Sequence, residues 1–124
     1  MDQVLEKSFD FSIRIIELIK YLDEENKPFA LRERLLRCGM GIGVCLRLAE
    51  SMGKRFTESG WQALYYAVEA EYLLETMAKT GYLTKKQSQP IINDCRALKT
   101  LIAGHLHNAD EEKKPGTWYG VRRS

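Results

Sequence analysis

Apolar residues recur along the chain at alternating spacings of four and three, which is the period of one face of an α-helix. The pattern fills four successive segments. Four helices of about 20 residues with short connections predict an all-α fold, an antiparallel up-down four-helix bundle. The predicted core positions are Val4, Ser8, Phe11, Ile15, Leu18 and Leu22, with Phe9, Ile16 and Ile19 widening that face; Leu31, Leu35, Cys38, Ile42, Cys45, Ala49 and Met52; Ala63, Ala67, Ala70, Leu74 and Met77; and Ile91, Cys95, Leu98, Ile102 and His105.

Residues that stop or cap helices separate the four segments. Proline and left-handed glycine end a helix, and a hydroxyl side chain caps the start of the next one. Thr84 and Gln87 have the spacing of a capping box for the fourth helix, whereas Pro90 favours a later start at Ser88, so both starts remain open. The other predicted boundaries are Asn26-Lys27-Pro28, Gly53, Thr57 and Gly81.

The length of 124 residues predicts one domain. Residues 1–107 would form the bundle, and residues 108–124 a polar C-terminal tail that is mobile or docked on a neighbour. The sequence has no apolar run of membrane-spanning length and no leader, and its three cysteines are an odd number within apolar stretches. These features predict reduced thiols in a cytoplasmic protein with no membrane partner.

Charge alternates in sign along the chain: residues 1–26 carry −4, 27–56 carry +5, 57–80 carry −3 and 81–124 carry +4. Complementary charges on neighbouring helices are one interpretation. A basic stripe that meets phosphate is the other, since neutralising phosphates is the main source of affinity for nucleic acid. The candidate nucleic-acid contacts are Arg32, Arg37, Arg47, Lys54 and Arg55.

The third helix has a second apolar stripe on the side opposite its alanines. A bundle helix needs only one buried face, and Trp and Tyr are enriched at protein interfaces. The outer arc of the second helix is also apolar, and Glu71 and Glu75 are predicted to pair with its arginines across a subunit contact. The candidate oligomer interface is Trp61, Tyr65, Val68, Tyr72, Leu36 and Met40.

Catalytic and metal-binding patterns are missing from the sequence. The glycines at 39, 41 and 43 do not form a phosphate-binding loop. We interpret them as sites of tight helix packing, with a short strand or kink as the alternative. The cysteines, His105 and His107 lack metal-ligand spacing, no Glu-x-x-His motif occurs, and no catalytic triad is present. The sequence therefore predicts a protein that is not an enzyme and holds no metal or cofactor.

Three short motifs carry a family resemblance. They are Leu-Ala-Glu-Ser at 48–51, Lys-Arg-Phe-Thr at 54–57 followed by Trp61, and Gly-Tyr-Leu at 81–83. They resemble the Ile-Ala-Glu-Gly, the arginine, capping residue and aromatic, and the third-helix ending of the four-helix-bundle proteins encoded in intervening sequences of bacterial 23S ribosomal RNA genes. The likeness covers most of residues 5–106.

The chain also departs from that family. Arg47 stands where the family usually has Asn, Ser51 replaces a glycine, and the third helix looks one turn short. These differences indicate a divergent member, or a member of the related accessory variability determinants of diversity-generating retroelements. The resemblance implies a homopentameric ring with no catalytic residues, and in the accessory branch binding to a reverse transcriptase and nucleic acid.

The expected function is a non-enzymatic oligomeric scaffold of the bacterial cytoplasm that binds RNA through the second helix and its following loop. The alternative is a protein–protein adaptor, such as a reverse-transcriptase accessory subunit, with no direct role in nucleic-acid binding.

Overall fold

The computed structural model describes residues 2–27, 29–52 and 56–113. They form four helices: α1 (Asp2–Glu24), α2 (Arg32–Met52), α3 (Phe56–Lys79) and α4 (Lys85–Lys113). No strand occurs in this part of the chain, and positions 36–46 are helical throughout. The predicted all-α four-helix bundle is confirmed.

Pairs of contacting residues show that successive helices run antiparallel, because the position rises on one helix as it falls on the next. On α1 and α2, Ile15 lies beside Gly39, and Ser8 beside Gly43. On α2 and α3, Arg34 pairs with Glu69 and Gly41 lies beside Tyr66. On α3 and α4, Arg96 pairs with Glu75 and Lys99 pairs with Glu71. Arg14 of α1 pairs with Asp94 of α4, and this contact closes the four-helix arrangement.

The core follows the predicted stripes with local shifts. All five predicted positions on α3 are fully buried. On α1, Ile19 is buried where Leu18 was expected, and Leu18 is half-buried; on α4, Leu106 takes the place of His105. At the two ends of the α2 stripe, the core stops short of the prediction. Leu31, which precedes the helix, and Met52 are exposed. Within the stripe, Cys45 is half-buried and its neighbour Leu46 is buried.

Left-handed residues end two of the helices. Asn26 has φ 57° after α1, and the Lys27 N–H donates to the Leu22 carbonyl at 2.9 Å. Gly81 has φ 90° after α3, where glycine has no steric penalty. The predicted stop at Gly81 is confirmed. The left-handed residue that follows the first helix is Asn26. Pro28 and Gly53, which were also predicted as helix boundaries, lie outside the described residues.

The capping box at the start of α4 is confirmed. The Thr84 N–H donates to Gln87 Oε1 at 2.9 Å, and the Gln87 N–H donates to Thr84 Oγ1 at 3.1 Å. The earlier of the two possible starts is therefore the real one, and Pro90 lies inside the helix. α3 begins at Phe56, so Thr57 lies within the helix and not ahead of it.

α4 continues to Lys113, six residues beyond the predicted end of the bundle at 107. His105 and His107 therefore lie more than one turn before the end of the helix. Trp118 and Tyr119, the two aromatic residues of the tail, lie outside the described residues.

Two of the three glycines of α2 mark close helix packing. A Cβ on Gly39 would lie 2.9 Å from Ile15 Cγ1, and a Cβ on Gly41 would lie 2.8 Å from the ring of Tyr66. The Gly39 carbonyl also accepts a hydrogen bond from Ser12 Oγ at 2.8 Å. Tight packing is thus the correct interpretation at these two positions. Gly43 is different, since an added Cβ would meet only ordinary contacts at 3.6 Å or more.

Candidate functional site

The outer face of α3 carries four large side chains that no other part of the described chain covers from solvent. Trp61 is 53% exposed, Tyr65 56%, Val68 49% and Tyr72 71%. At 100° per residue they fall within an arc of about 60°, opposite the buried alanines. We call these four residues the α3 stripe.

Ion pairs flank the α3 stripe on both sides. Towards α2, Arg34 pairs with Glu69. Towards α4, Glu71 accepts hydrogen bonds from Arg96 at 2.8 Å and from Lys99 at 2.6 Å.

Glu75 pairs with the same arginine, because Arg96 donates to its carboxylate at 2.8 Å. Glu71 and Glu75 therefore pair within the chain, with α4, and their predicted pairing with arginines of α2 across a subunit contact stays a prediction. The sequence spacing placed both carboxylates beside the α3 stripe correctly, but it did not indicate which neighbouring helix they face.

The flanking carboxylates are held in their charged form. Burial opposes the charge of Glu69 and Glu71, but the hydrogen bonds from Arg34 and Cys38 to Glu69, and from Arg96 and Lys99 to Glu71, outweigh it. The pKa of each carboxyl is consequently lowered from its ordinary value.

A second apolar surface lies on the outer side of α1 and α2. Phe9 and Ile16 of α1 were predicted to widen the core but are exposed, as are Met40 and Val44 of α2. The Arg47 guanidinium lies 5.3 Å from the centroid of the Phe9 ring, within cation–π range. We call Phe9, Ile16, Met40, Val44 and Arg47 the α1–α2 face.

Two features of this surface differ from the sequence prediction. Leu36 is half-buried and packs against the core, so its side chain is only partly available as an interface residue. Ile13 is also exposed, next to Phe9 and Ile16. Their spacing of four and three was the signal for a second stripe on the first helix, parallel to the one recognised on the third.

The candidate nucleic-acid residues do not form one cluster. Arg32 donates to Asp23 at 2.5 Å, which partly neutralises it. Arg37 is exposed and has no ion-pair partner within 2–27, 29–52 and 56–113. Arg47 belongs to the α1–α2 face, and Lys54 and Arg55 lie outside the described residues.

A groove of about 630 Å³ runs between α3 and α4 beside Tyr72. Lys79, Lys85 and Arg96 line it together with Glu75. Its charge is mixed, and Arg96 is already engaged by two carboxylates.

The cysteines are suited to packing more than to chemistry. Burial raises the pKa of both Cys38 and Cys95 to about 12, so these thiols stay protonated at neutral pH, and burial also raises the pKa of Cys45. Burial lowers the pKa of His105. Within the described part of the chain, no group of three or more His, Cys, Asp or Glu side chains could hold a metal ion. No helix there is both long and apolar enough to cross a membrane.

Comparison with known proteins places this bundle in a family. The model of the 23S rRNA-intervening sequence protein family matches residues 2–104. A crystal structure of a protein of unknown function from the S23 ribosomal protein family of Bacteroides thetaiotaomicron VPI-5482 is also similar. It is 35% identical, has a TM-score of 0.79, and the match covers 83% of this chain and 97% of that one. No curated protein matches the chain significantly. The chain therefore belongs to the 23S rRNA-intervening sequence protein family, as the sequence motifs predicted.

Proposed function

We propose that this member of the 23S rRNA-intervening sequence protein family is a non-enzymatic scaffold that assembles with copies of itself through the α3 stripe. The observation that carries the proposal is the stripe itself: one tryptophan, two tyrosines and a valine in register, each about half exposed or more. Scattered surface aromatics are common, but a contiguous apolar patch with a polar rim is typical of an interaction site.

The surroundings of the α3 stripe fit burial against a partner. Its flanking carboxylates Glu69, Glu71 and Glu75 already have cationic partners within the chain. Covering the stripe would therefore leave none of these three charges buried without a partner. A buried charge without a partner is the usual energetic penalty at charged interfaces. A central apolar strip with an ion-paired rim has the anatomy of a protein–protein contact.

The preferred assembly is a closed ring, specifically a homopentamer. This number rests on the family resemblance. The exposed α3 stripe supports self-association but does not specify how many copies take part.

Light scattering on the purified protein tests the proposal. Truncating a central interface tryptophan typically costs about 2 kcal/mol or more, roughly a thirtyfold loss in association. Trp61→Ala should therefore have a lower mass than the wild type at micromolar concentration. Leu31→Ala is the matched control, since Leu31 is also exposed but lies between α1 and α2, outside the stripe. A monomeric wild type, or an unchanged mass for Trp61→Ala, would contradict the proposal.

RNA binding is the second candidate function, and the charge on α2 favours it. Arg37 and Arg47 are both exposed, Arg37 has no ion-pair partner in the described structure, and residues 27–56 carry +5. A few phosphate contacts bind weakly, but a symmetric assembly repeats them and makes later contacts intramolecular.

The test is titration of single-stranded RNA at several salt concentrations. Log affinity should fall with log salt at about −0.7 per phosphate neutralised. Arg37→Glu with Arg47→Glu should weaken binding to every RNA alike. Lys7→Glu with Lys20→Glu changes the net charge equally at exposed positions outside the basic segment and should bind as the wild type does. No binding at about 50 mM salt, where such contacts are strongest, would leave the scaffold as a protein–protein adaptor.

A further inference from the structure

The α3 stripe, if it is covered by another copy, can meet one of two surfaces. It can meet the same stripe on the partner, which gives a two-fold contact, or a different surface, which gives a head-to-tail contact. The α1–α2 face is the other large apolar surface of the described structure, and Val44 at its centre is 62% exposed. Charge and shape distinguish the two surfaces.

Charge favours the head-to-tail contact. α3 contains four acidic residues and one basic residue, whereas α2 contains four basic and two acidic residues. Pairing α3 with α3 would bring two helices of net −3 together, although Arg34, Arg96 and Lys99 of α2 and α4 already pair with Glu69, Glu71 and Glu75. Pairing α3 with the α1–α2 face brings Arg37 and Arg47 of one copy towards the acidic helix of the other, and opposite potentials across an interface select the right partner.

Shape favours the same pairing. The α3 stripe is a ridge of large side chains. The α1–α2 face contains a groove of about 100 Å³, whose floor is formed by Ser8, Ser12 and Gly43 and whose rim is formed by Phe9, Met40, Val44 and Arg47.

Gly43 is the one glycine of α2 that internal packing does not require, because an added Cβ would lie 3.6 Å from Ser8 Oγ. Glycine inside a helix costs up to about 1 kcal/mol relative to alanine. At this position it keeps the groove open towards the outside.

We propose that the α3 stripe of one copy docks in the α1–α2 face of the next copy. This inference rests on the proposed self-assembly and adds its geometry. The two surfaces differ, so every copy uses both of them, and the contact is heterologous. Repetition of such a contact closes into a ring when the rotation between copies allows it. The α1–α2 face, Arg47 included, would then be covered in the assembly, so Arg47 could not at the same time contact RNA as in the second candidate function.

Two single variants and their mixture test the inference. Tyr65→Glu places a carboxylate in the α3 stripe, and Val44→Glu places one in the α1–α2 face. Both positions are more than half exposed, so each chain should fold, as circular dichroism will verify. Each variant alone should be smaller than the wild type by light scattering, because a charge buried without a partner is strongly unfavourable.

An equimolar mixture of the two variants gives the decisive result. Tyr65→Glu retains an intact α1–α2 face and Val44→Glu retains an intact α3 stripe, so one junction can form between them. The mixture should contain a dimer of twice the 14.3 kDa chain mass and nothing larger. Leu31→Glu is the control, since it adds the same charge outside both surfaces and should keep the wild-type mass.

The outcomes separate this inference from the proposed function. If Tyr65→Glu dissociates while Val44→Glu keeps the wild-type mass, the α3 stripe is an interface but the α1–α2 face is not its partner, and the inference is overturned. If both variants dissociate and their mixture stays monomeric, the inference is overturned as well. If Tyr65→Glu keeps the wild-type mass, self-assembly through the stripe fails and the inference fails with it.

Discussion

The inner and outer faces of α3 are built from opposite kinds of side chain. The inner face presents Ala63, Ala67 and Ala70, all fully buried. The outer face presents a tryptophan and two tyrosines that stay mostly in solvent. The small side chains therefore lie inside the bundle, and the largest ones lie on its surface.

The alanines let neighbouring helices approach closely. Cys95 of α4 reaches the backbone carbonyl of Ala67 at 3.3 Å, and the glycines of α2 allow the same kind of approach on the other side. Large outer side chains cannot stabilise a chain that leaves them in water. This difference suggests that the inner face determines the stability of the bundle and the outer face its partners.

The largest expected effect is on the inner face. Leu74→Ala removes a fully buried side chain and should lower the free energy of unfolding by about 2–5 kcal/mol. Leu48→Ala removes the same atoms from the outer side of α2, where Leu48 is 50% exposed, and should cost about 0.5 kcal/mol or less.

Both substitutions are measured by urea unfolding in the Tyr65→Glu background, so that loss of assembly does not contribute to the difference. Equal costs at Leu74 and Leu48 would mean that a buried and an exposed leucine of the bundle contribute equally to its stability.

The second prediction compares two glycines of α2, one packed tightly against α1 and one with room for a side chain. Gly39→Ala would place a Cβ 3.0 Å from the Cβ of fully buried Ile15, which has little room to move. It should destabilise the chain by about 1–3 kcal/mol, as overpacking does. Gly43→Ala meets only ordinary contacts and should stabilise the dissociated chain by up to about 1 kcal/mol through helix propensity. Thermal melting of the two variants in the same background measures the difference in sign. Destabilisation by Gly43→Ala would show that Gly43 is needed inside the bundle.

The inner stripe of α3 could be predicted from sequence because its alanines, leucine and methionine form one helical arc, separate from the arc of large side chains on the opposite side. The first helix was harder. Phe9 and Ile16 lie on an apolar arc broad enough to be mistaken for part of the core, and periodicity does not say which half of a wide arc turns inwards. In the second half of α4, His105 and Leu106 are consecutive residues about 100° apart around the helix, and the more apolar of them is buried.

Contacts between helices were the least predictable part of the candidate site. Placing Glu71 beside the α3 stripe needs only the helical period. Knowing that it faces Arg96 and Lys99 of α4 needs the rotation of α3 against two neighbours, which spacing along one helix does not contain.

The third prediction concerns Glu71, which lies between the inner and outer faces of α3. Glu71 has a lowered pKa in the folded chain, so its ion pairs stabilise the fold fully above the ordinary glutamate pKa of about 4.3. This contribution is lost as the pH falls through the lowered pKa of the folded state.

Glu71→Gln should therefore reduce the free energy of unfolding by about 1 kcal/mol near pH 6, and by progressively less towards pH 3. Urea unfolding across this pH range measures the change. Glu17→Gln, which removes an exposed carboxyl without an ion-pair partner in the described structure, controls for the loss of one charge. A difference between wild type and Glu71→Gln that stays constant with pH would contradict an ionic role.

The smallest expected effect on the free energy of unfolding is at Tyr72, which tests whether the outer face of α3 contributes to the fold. Tyr72 is 71% exposed, and its carbonyl keeps the hydrogen bond from Thr76 Oγ1 at 2.8 Å whatever its side chain is. Tyr72→Ala loses few contacts and gains helix propensity, so in the Tyr65→Glu background the free energy of unfolding should change by about 0.5 kcal/mol or less. Phe11→Ala, an aromatic truncation at a buried position of α1, should cost about 3–5 kcal/mol in the same measurement.

Tyr72 also lines the groove beside Ile92 and Arg96. A loss above about 1 kcal/mol for Tyr72→Ala would therefore mean that its ring packs on its own chain. The outer face of α3 would then be part of the fold at that end, and only Trp61, Tyr65 and Val68 would remain available to a partner.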